Sequence, residues 1–250
     1  MQKYKICIDA GHGGKDPGAV NKNLKEKDFT LQIALEVINK LNNDEFFRPI
    51  PTRIEDESLS LGNRCKIANT QNCDLFVSIH LNAADNKAAK GIETLVYNGA
   101  LNRITGLIFQ NELIRATDAL DRGVKSSPNI YVLKNTEMKA VLLELGFISN
   151  DEESKKFLAA SYRSKIADAI ISGIYKSFYI EPIEEVVIDT RYNTIDEIPE
   201  YAQPTIKKYI NSGYIDGVDK SHSLDLSDDM LRVLTIMDRA MNDALAHKAC

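Results

Sequence analysis

The sequence predicts an α/β protein: a mainly parallel twisted sheet flanked by helices on both faces, followed by a small all-helical C-terminal module. Three observations carry this expectation. Over residues 1–180, short apolar runs alternate with stretches of helical periodicity, the order that strand–helix–strand crossovers produce. The run Val141-Leu142-Leu143-Glu144-Leu145 is apolar on consecutive residues, as in a strand covered on both faces. Beyond residue 181 the alternation stops and helical spacing alone remains.

The elements follow in order. Tyr4–Ala10 is the first strand. Asp28–Asn42 reads as a helix because Phe29, Ile33, Val37, Ile38 and Leu41 recur at helical spacing. Arg48–Arg53 is a strand, Leu59–Thr70 a helix, Asp74–His80 and Gly91–Tyr97 strands, and Leu101–Leu120 a helix. Asn129–Leu133 and Ala140–Leu145 are predicted strands. Tyr162–Tyr179 closes the domain as a helix with the stripe Ile166, Ala169, Ile170, Gly173 and Ile174.

Pro182, Glu184 and Glu185 mark a linker over residues 181–191. In the module spanning 192–250, Pro199 to Ser212 reads as a helix ended by Gly213. Ser227 can N-cap a second helix, with Asp228 and Asp229 suiting its positive end. Its stripe is Met230, Leu231, Leu234, Met237, Met241 and Leu245. So short a segment has little core of its own, so it is expected to pack on the first domain or on another copy.

Composition excludes several classes. The chain has 250 residues, 44% hydrophobic and 27% charged, which is neither disordered nor fibrous. No apolar run approaches the ~18–20 residues of a spanning helix, so no membrane insertion is expected. The net charge of −5 is uneven: residues 1–180 carry 24 Lys+Arg against 22 Asp+Glu, and residues 181–250 carry 7 against 14. Neither part has the basic footprint of a nucleic-acid binder. The first strand begins almost at Met1, leaving no charged and apolar leader ahead of it, so synthesis in the cytoplasm without a signal peptide is expected. Cys7, Cys65, Cys73 and Cys250 form no Cys-x-x-Cys pair and are read as reduced thiols.

In open α/β sheets ligands bind beyond the carboxyl ends of the strands. Four polar stretches fall there: Gly11-His12-Gly13-Gly14-Lys15-Asp16-Pro17-Gly18, Lys25-Glu26-Lys27-Asp28, Ser78-Ile79-His80-Leu81-Asn82, and Glu144. The other two histidines, His222 and His247, lie in the tail. Two imidazoles and a carboxylate are a common catalytic zinc shell with an open position for water. A lone histidine is more often structural, and these positions match no compact zinc motif. Glu144 is the sharper anomaly, since an acid in a doubly covered strand is costly without a partner. Asp9 is a milder case and is expected to hold structural hydrogen bonds. The glycine-rich loop is no P-loop: Asp9 and Asp16 stand where Gly and Ser or Thr are required.

The run Ile8-Asp9-Ala10-Gly11-His12-Gly13-Gly14-Lys15-Asp16-Pro17-Gly18-Ala19 resembles the opening of the zinc-dependent N-acetylmuramoyl-L-alanine amidases. So do Leu24-Lys25-Glu26-Lys27-Asp28, Ser78-Ile79-His80-Leu81-Asn82-Ala83, Lys90-Gly91-Ile92-Glu93-Thr94, Arg122-Gly123-Val124-Lys125 and Leu143-Glu144-Leu145-Gly146-Phe147-Ile148-Ser149-Asn150. The motifs keep the family's order over roughly residues 1–178. The resemblance implies that His12, Glu26 and His80 hold one Zn²⁺ per chain and that Glu144 is the catalytic glutamate. It implies hydrolysis of the amide between N-acetylmuramic acid and L-alanine in peptidoglycan. Leu81, where many members carry Ala, and Asn82 are expected to face substrate. Asn63-Arg64, where Glu-Arg is common, is expected on a helix surface.

The tail, from Asp196-Glu197-Ile198-Pro199-Glu200-Tyr201-Ala202 through Gly213-Tyr214-Ile215-Asp216-Gly217 to Met230-Leu231-Arg232, more loosely resembles a surface-layer-homology repeat and the helical tails of phage lysins. That implies targeting to a secondary cell-wall polymer, with homodimerisation as the alternative. A phage or prophage endolysin that reaches the wall after release is the expected biology. A zinc carboxypeptidase-like peptide hydrolase and a non-catalytic cell-wall-binding protein are the rival readings.

Overall fold

The computed structural model describes residues 3–178, 191–192, 194–212, 226–227, 234 and 238. The chain divides into two compact units, residues 1–182 and 183–250. The first unit runs β1 (Tyr4–Ala10), β2 (Val20–Asn21), β3 (Leu24–Lys25), α1 (Glu26–Asn42), β4 (Phe47–Pro51), α2 (Leu61–Thr70), β5 (Leu75–Asn82) and β6 (Ile92–Val96). It continues with α3 (Ala100–Thr117), β7 (Asp121–Ser126), α4 (Tyr131–Asn135), β8 (Lys139–Phe147), α5 (Asp151–Lys156) and α6 (Ala160–Ser177). Six strands form one sheet in the order β4-β1-β5-β8-β6-β7. Every pair is parallel except β6 with β8.

Alternation along each strand sorts side chains between two faces. Ile6 and Ile8, Val77 and Ile79, and Val141, Leu143 and Leu145 enter one cluster with Ile33 and Val37 of α1, Phe109 of α3 and Ile170 of α6. Cys7, Phe76, Ala140 and Leu142 enter a second cluster with Cys65 and Ala68 of α2 and Val132 and Leu133 of α4. The two helices on this second face are short. Towards the strand ends its stripe turns polar: Cys7 is followed by Asp9, Phe76 by Ser78 and His80, and Leu142 by Glu144. The functional face is built in that way.

The predicted helical stripes of α1 and α6 are the residues that bury. Tyr179, the expected last residue of the latter, lies outside the described residues. Two assignments are corrected. The expected strand Asn129–Leu133 is instead the short helix α4. Its apolar run is too brief for periodicity to separate the two states, and Val132 and Leu133 bury beside α2. The sixth strand is β7, whose sequence Asp-Arg-Gly-Val-Lys-Ser lacks the apolar signal because it lies at the sheet edge.

In the second unit the described elements are β9 (Arg191–Tyr192), a 3₁₀ turn (Ile195–Glu197), α7 (Gln203–Asn211) and β10 (Leu226–Ser227). The β9–β10 pair is antiparallel, which amends the expectation of a purely helical module. Ile198, Ala202, Ile206 and Leu226 form its small core. Ser227 sits in β10, and most of the helix predicted after it lies outside the described residues, as do residues 181–190, His222, His247 and Cys250. Cys7, Cys65 and Cys73 are free and buried. Among the described residues no helix is long and apolar enough to cross a membrane.

Candidate active site

His12 follows β1 in a left-handed conformation, φ 59°. Glu26 is the first residue of α1, and His80 lies near the end of β5. The three converge, with one ligand atom from each lying within 4.8 Å of the others. Glu26 is buried, at 3% exposure. His12 Nε2 lies 3.1 Å from Glu26 Oε2, and His80 Nδ1 lies 2.9 Å from Glu26 Oε1. The backbone N–H groups of Ala19 and Leu81 donate to the same carboxylate at 2.8 and 2.9 Å.

Close approach of backbone makes the pocket possible. A Cβ on Gly11 would overlap the His80 imidazole. One on Gly18, where φ is +66°, would stand 2.6 Å from Glu26 Oε2 and 2.7 Å from His12 Cδ2. Glycine is required at both positions for room.

The donor set fits a zinc ion. Two imidazoles and one carboxylate match the three-ligand shell of catalytic zinc sites. His12 Nδ1–H donates to Asp16 Oδ2 at 2.8 Å, the carboxylate–histidine arrangement that frees Nε2 to ligate. Burial lowers the pKa of His12, but Glu26 and then Asp16 outweigh it and hold the group at about 9. Burial also works against ionisation of Glu26, but the two histidines overcome it and hold the carboxyl well below the usual range.

Glu144 stands in β8 directly across from His80 in β5. Its Oε2 is buried and has no hydrogen-bond partner. Burial pushes its carboxyl up to about 7; His80 draws it back, while Glu26 and Glu93 push it further. A group poised near neutrality beside His80 suits proton transfer.

The shell behind the site was not legible as such. Asp9 does hold structural hydrogen bonds, accepting from Thr52 and Ser78 hydroxyls, each at 2.7 Å. It also pairs with Arg64 at 2.7 Å. Arg64 is buried, at 3% exposure, which corrects its expected place on a helix surface. Its guanidinium donates to the carbonyls of Ala10 and His12, both at 2.6 Å. Arg53 donates to the carbonyls of Ala10, Gly11 and Lys27 at 3.0, 2.9 and 3.0 Å. Two buried arginines thus tie the His12 loop to the start of α1. Buried guanidinium needs many acceptors, and the turning loop supplies them.

Leu81 does not face the site. Strand alternation sends it into the core, where it is 3% exposed, and its contribution is its backbone N–H. Asn82 is half-buried and its side-chain N–H₂ donates to Glu93 at 3.0 Å.

An open α/β sheet that gathers at its strand ends three residues able to hold a metal ion, beside a glutamate with a buried, unpartnered oxygen, is an arrangement suited to hydrolysis. The family model described as N-acetylmuramoyl-L-alanine amidase matches residues 6–176. The sporulation-specific N-acetylmuramoyl-L-alanine amidase of Bacillus subtilis is 36% identical over 180 residues, covering 71% of this chain and 69% of that protein. The endolysin of Bacillus phage SPP1 is 35% identical over 178 residues, covering 68% and 64%. Among solved structures, the catalytic domain of CwlV, an amidase from Bacillus (Paenibacillus) polymyxa, superposes with a TM-score of 0.69 at 33% identity, covering 71% of this chain and 99% of that one. The chain belongs to the N-acetylmuramoyl-L-alanine amidase family.

Proposed function

We propose that this amidase cleaves the bond between the lactyl group of N-acetylmuramic acid and L-alanine using one zinc ion per chain, held by His12, Glu26 and His80, with Glu144 as proton carrier. The observation that carries the reading is the buried, unpartnered Glu144 Oε2 one strand away from His80. When bound, zinc supplies a Lewis acid that polarises the lactyl carbonyl and acidifies the attacking water. Glu144 accepts the proton of that water as it adds to the carbonyl carbon. It then gives the proton to the nitrogen of L-alanine as the amide bond breaks, so that the peptide leaves as a neutral amine. Asp16 keeps the His12 ring in the tautomer that presents Nε2.

We infer that the biological setting is release from a lysing cell followed by attack on the wall, as for a phage or prophage endolysin. The likeness to the phage SPP1 protein supports this. The tail, outside the family match, is assigned to targeting of a secondary wall polymer in preference to homodimerisation.

The test incubates purified protein with Gram-positive peptidoglycan, with and without a zinc chelator, and measures newly freed L-alanine amino termini. Chelator-sensitive release restored by added zinc is expected. Glu144→Gln is expected to keep its zinc and lose ~10²–10⁴-fold in kcat, the usual range for a general acid–base group. A variant that turns over at the wild-type rate overturns the assignment.

A further inference from the structure

A second charged cluster stands beside Glu144, and the chemistry above does not use it. Glu93 of β6 is the register partner of Glu144 across the antiparallel ladder, as His80 is across the parallel one. Registered partners point to one face, so His80, Glu144 and Glu93 form a row stepping ~4.8 Å per strand. The row continues to edge strand β7. There Arg122 Nε and Lys125 Nζ both lie 2.6 Å from Glu93 Oε2.

Two cations on one carboxylate leave a surplus positive charge. Glu93 is itself 7% exposed, and burial resists its ionisation, but Lys125 and Arg122 hold its carboxyl below the usual range. The cations remain partly open, with side chains 31% and 44% exposed. The Arg122 guanidinium carbon lies 4.8 Å from the Phe147 ring centroid, a cation–π contact. Its Nη1 makes only a long 3.4 Å contact to the Lys90 carbonyl. A guanidinium beside an ammonium, both anchored from below, is a built receptor for a carboxylate.

The proposed reaction fixes which part of the substrate reaches it. The scissile carbonyl lies on the side of His12, Glu26 and His80. The departing nitrogen lies beside Glu144, which protonates it. The leaving peptide therefore runs from β8 across β6 towards β7. The carboxyl of the second residue lies at most ~7 Å from the departing nitrogen in an extended chain. Arg122 and Lys125 reach back over β6 to Glu93, one strand spacing of ~4.8 Å from Glu144, and so fall within that span.

We propose that Arg122 and Lys125 form a subsite for the free carboxylate of the acidic residue that follows L-alanine in the stem peptide. The subsite rests on the amidase reading. It makes the enzyme selective between stems whose glutamate carries that carboxylate and stems in which it is amidated.

The experiment compares two soluble muramyl tripeptides, N-acetylmuramoyl-L-Ala-γ-D-Glu-L-Lys and its α-amidated counterpart, as substrates of the zinc-loaded full chain. They differ by one carboxylate against one carboxamide. The wild type is expected to favour the free acid by about tenfold or more in kcat/KM, expressed in KM. Lys125→Gln and Arg122→Gln are expected to bring that ratio towards one, and Lys125→Glu to reverse it, with Arg122→Lys keeping part of the preference. A wild-type ratio of one, or a ratio unchanged in all four variants, overturns the subsite. Cleavage of neither substrate by zinc-bound wild type overturns the amidase reading and the subsite with it.

Discussion

His12 is the side chain at which the proposed metal uptake would be coupled to protonation. In the metal-free protein its pKa is about 9 against an ordinary 6.5. The fold therefore draws full stability from protonated His12 below about pH 6.5 and loses it as pH rises through about 9. Glu26 is depressed from 4.5, so its contribution is present above that value and fades only in strong acid. The chelated protein is expected to owe most to this pair between about pH 4.5 and 6.5, read as Tm against pH. Zinc needs neutral His12, so its affinity is expected to climb between pH 6.5 and 9, by up to tenfold per unit, in a chelator competition titration. A flat profile contradicts the assigned ion pair. Asp16→Asn is expected to weaken zinc binding by about 10–100-fold while leaving the fold intact, the usual effect of removing such a partner. At this scale the residues themselves marked Glu144, an acid within an apolar strand, whereas His12, Glu26 and His80 were joined as expected zinc donors only by the family resemblance of their separate motifs. Arg53 and Arg64 were not legible, because arginine is ordinarily a surface residue and nothing local announces its burial.

The elements carry the next constraint. β1, β5 and β8 each place apolar side chains on one face along their length and switch the other face from apolar to polar near the carboxyl end. The switch, Cys7 to Asp9 or Leu142 to Glu144, is written in the sequence with a period of two. The loop after β1 must then pass close beneath His80. Gly11→Ala is expected to displace that imidazole and abolish high-affinity zinc binding while the far-ultraviolet spectrum stays that of the wild type. Zinc-binding stoichiometry measures the first and circular dichroism the second. Retained one-to-one zinc binding contradicts the close packing described. β7 escaped sequence reading because an edge strand lacks the apolar run of a central one. α4 was mistaken for a strand because five residues with adjacent apolar pairs satisfy either geometry.

At the scale of the molecule, the chain comprises a catalytic unit that matches its family from residue 6 to 176 and a second unit that the match does not cover. The solved CwlV structure is that of a catalytic domain, and this chain covers 99% of it with 71% of its own length. Residues 1–182 are accordingly expected to cleave soluble muramyl peptides at a rate within a few-fold of the full chain. Retention on isolated walls, measured by co-sedimentation, is expected to fall without residues 183–250. Equal sedimentation of both forms removes the targeting role of the tail.

The sequence by itself determined the mainly parallel sheet, the helices that cover it and the anomalous glutamate, because each is a local pattern or a single residue out of place. Only the tertiary structure decided that Leu81 turns inward, that Arg64 and Arg53 anchor the His12 loop, and that Glu93, Arg122 and Lys125 line up beside Glu144. These depend on strand register and on burial between segments that lie tens of residues apart. A one-residue shift in pairing sends every side chain to the other face, and no local window of sequence contains that information.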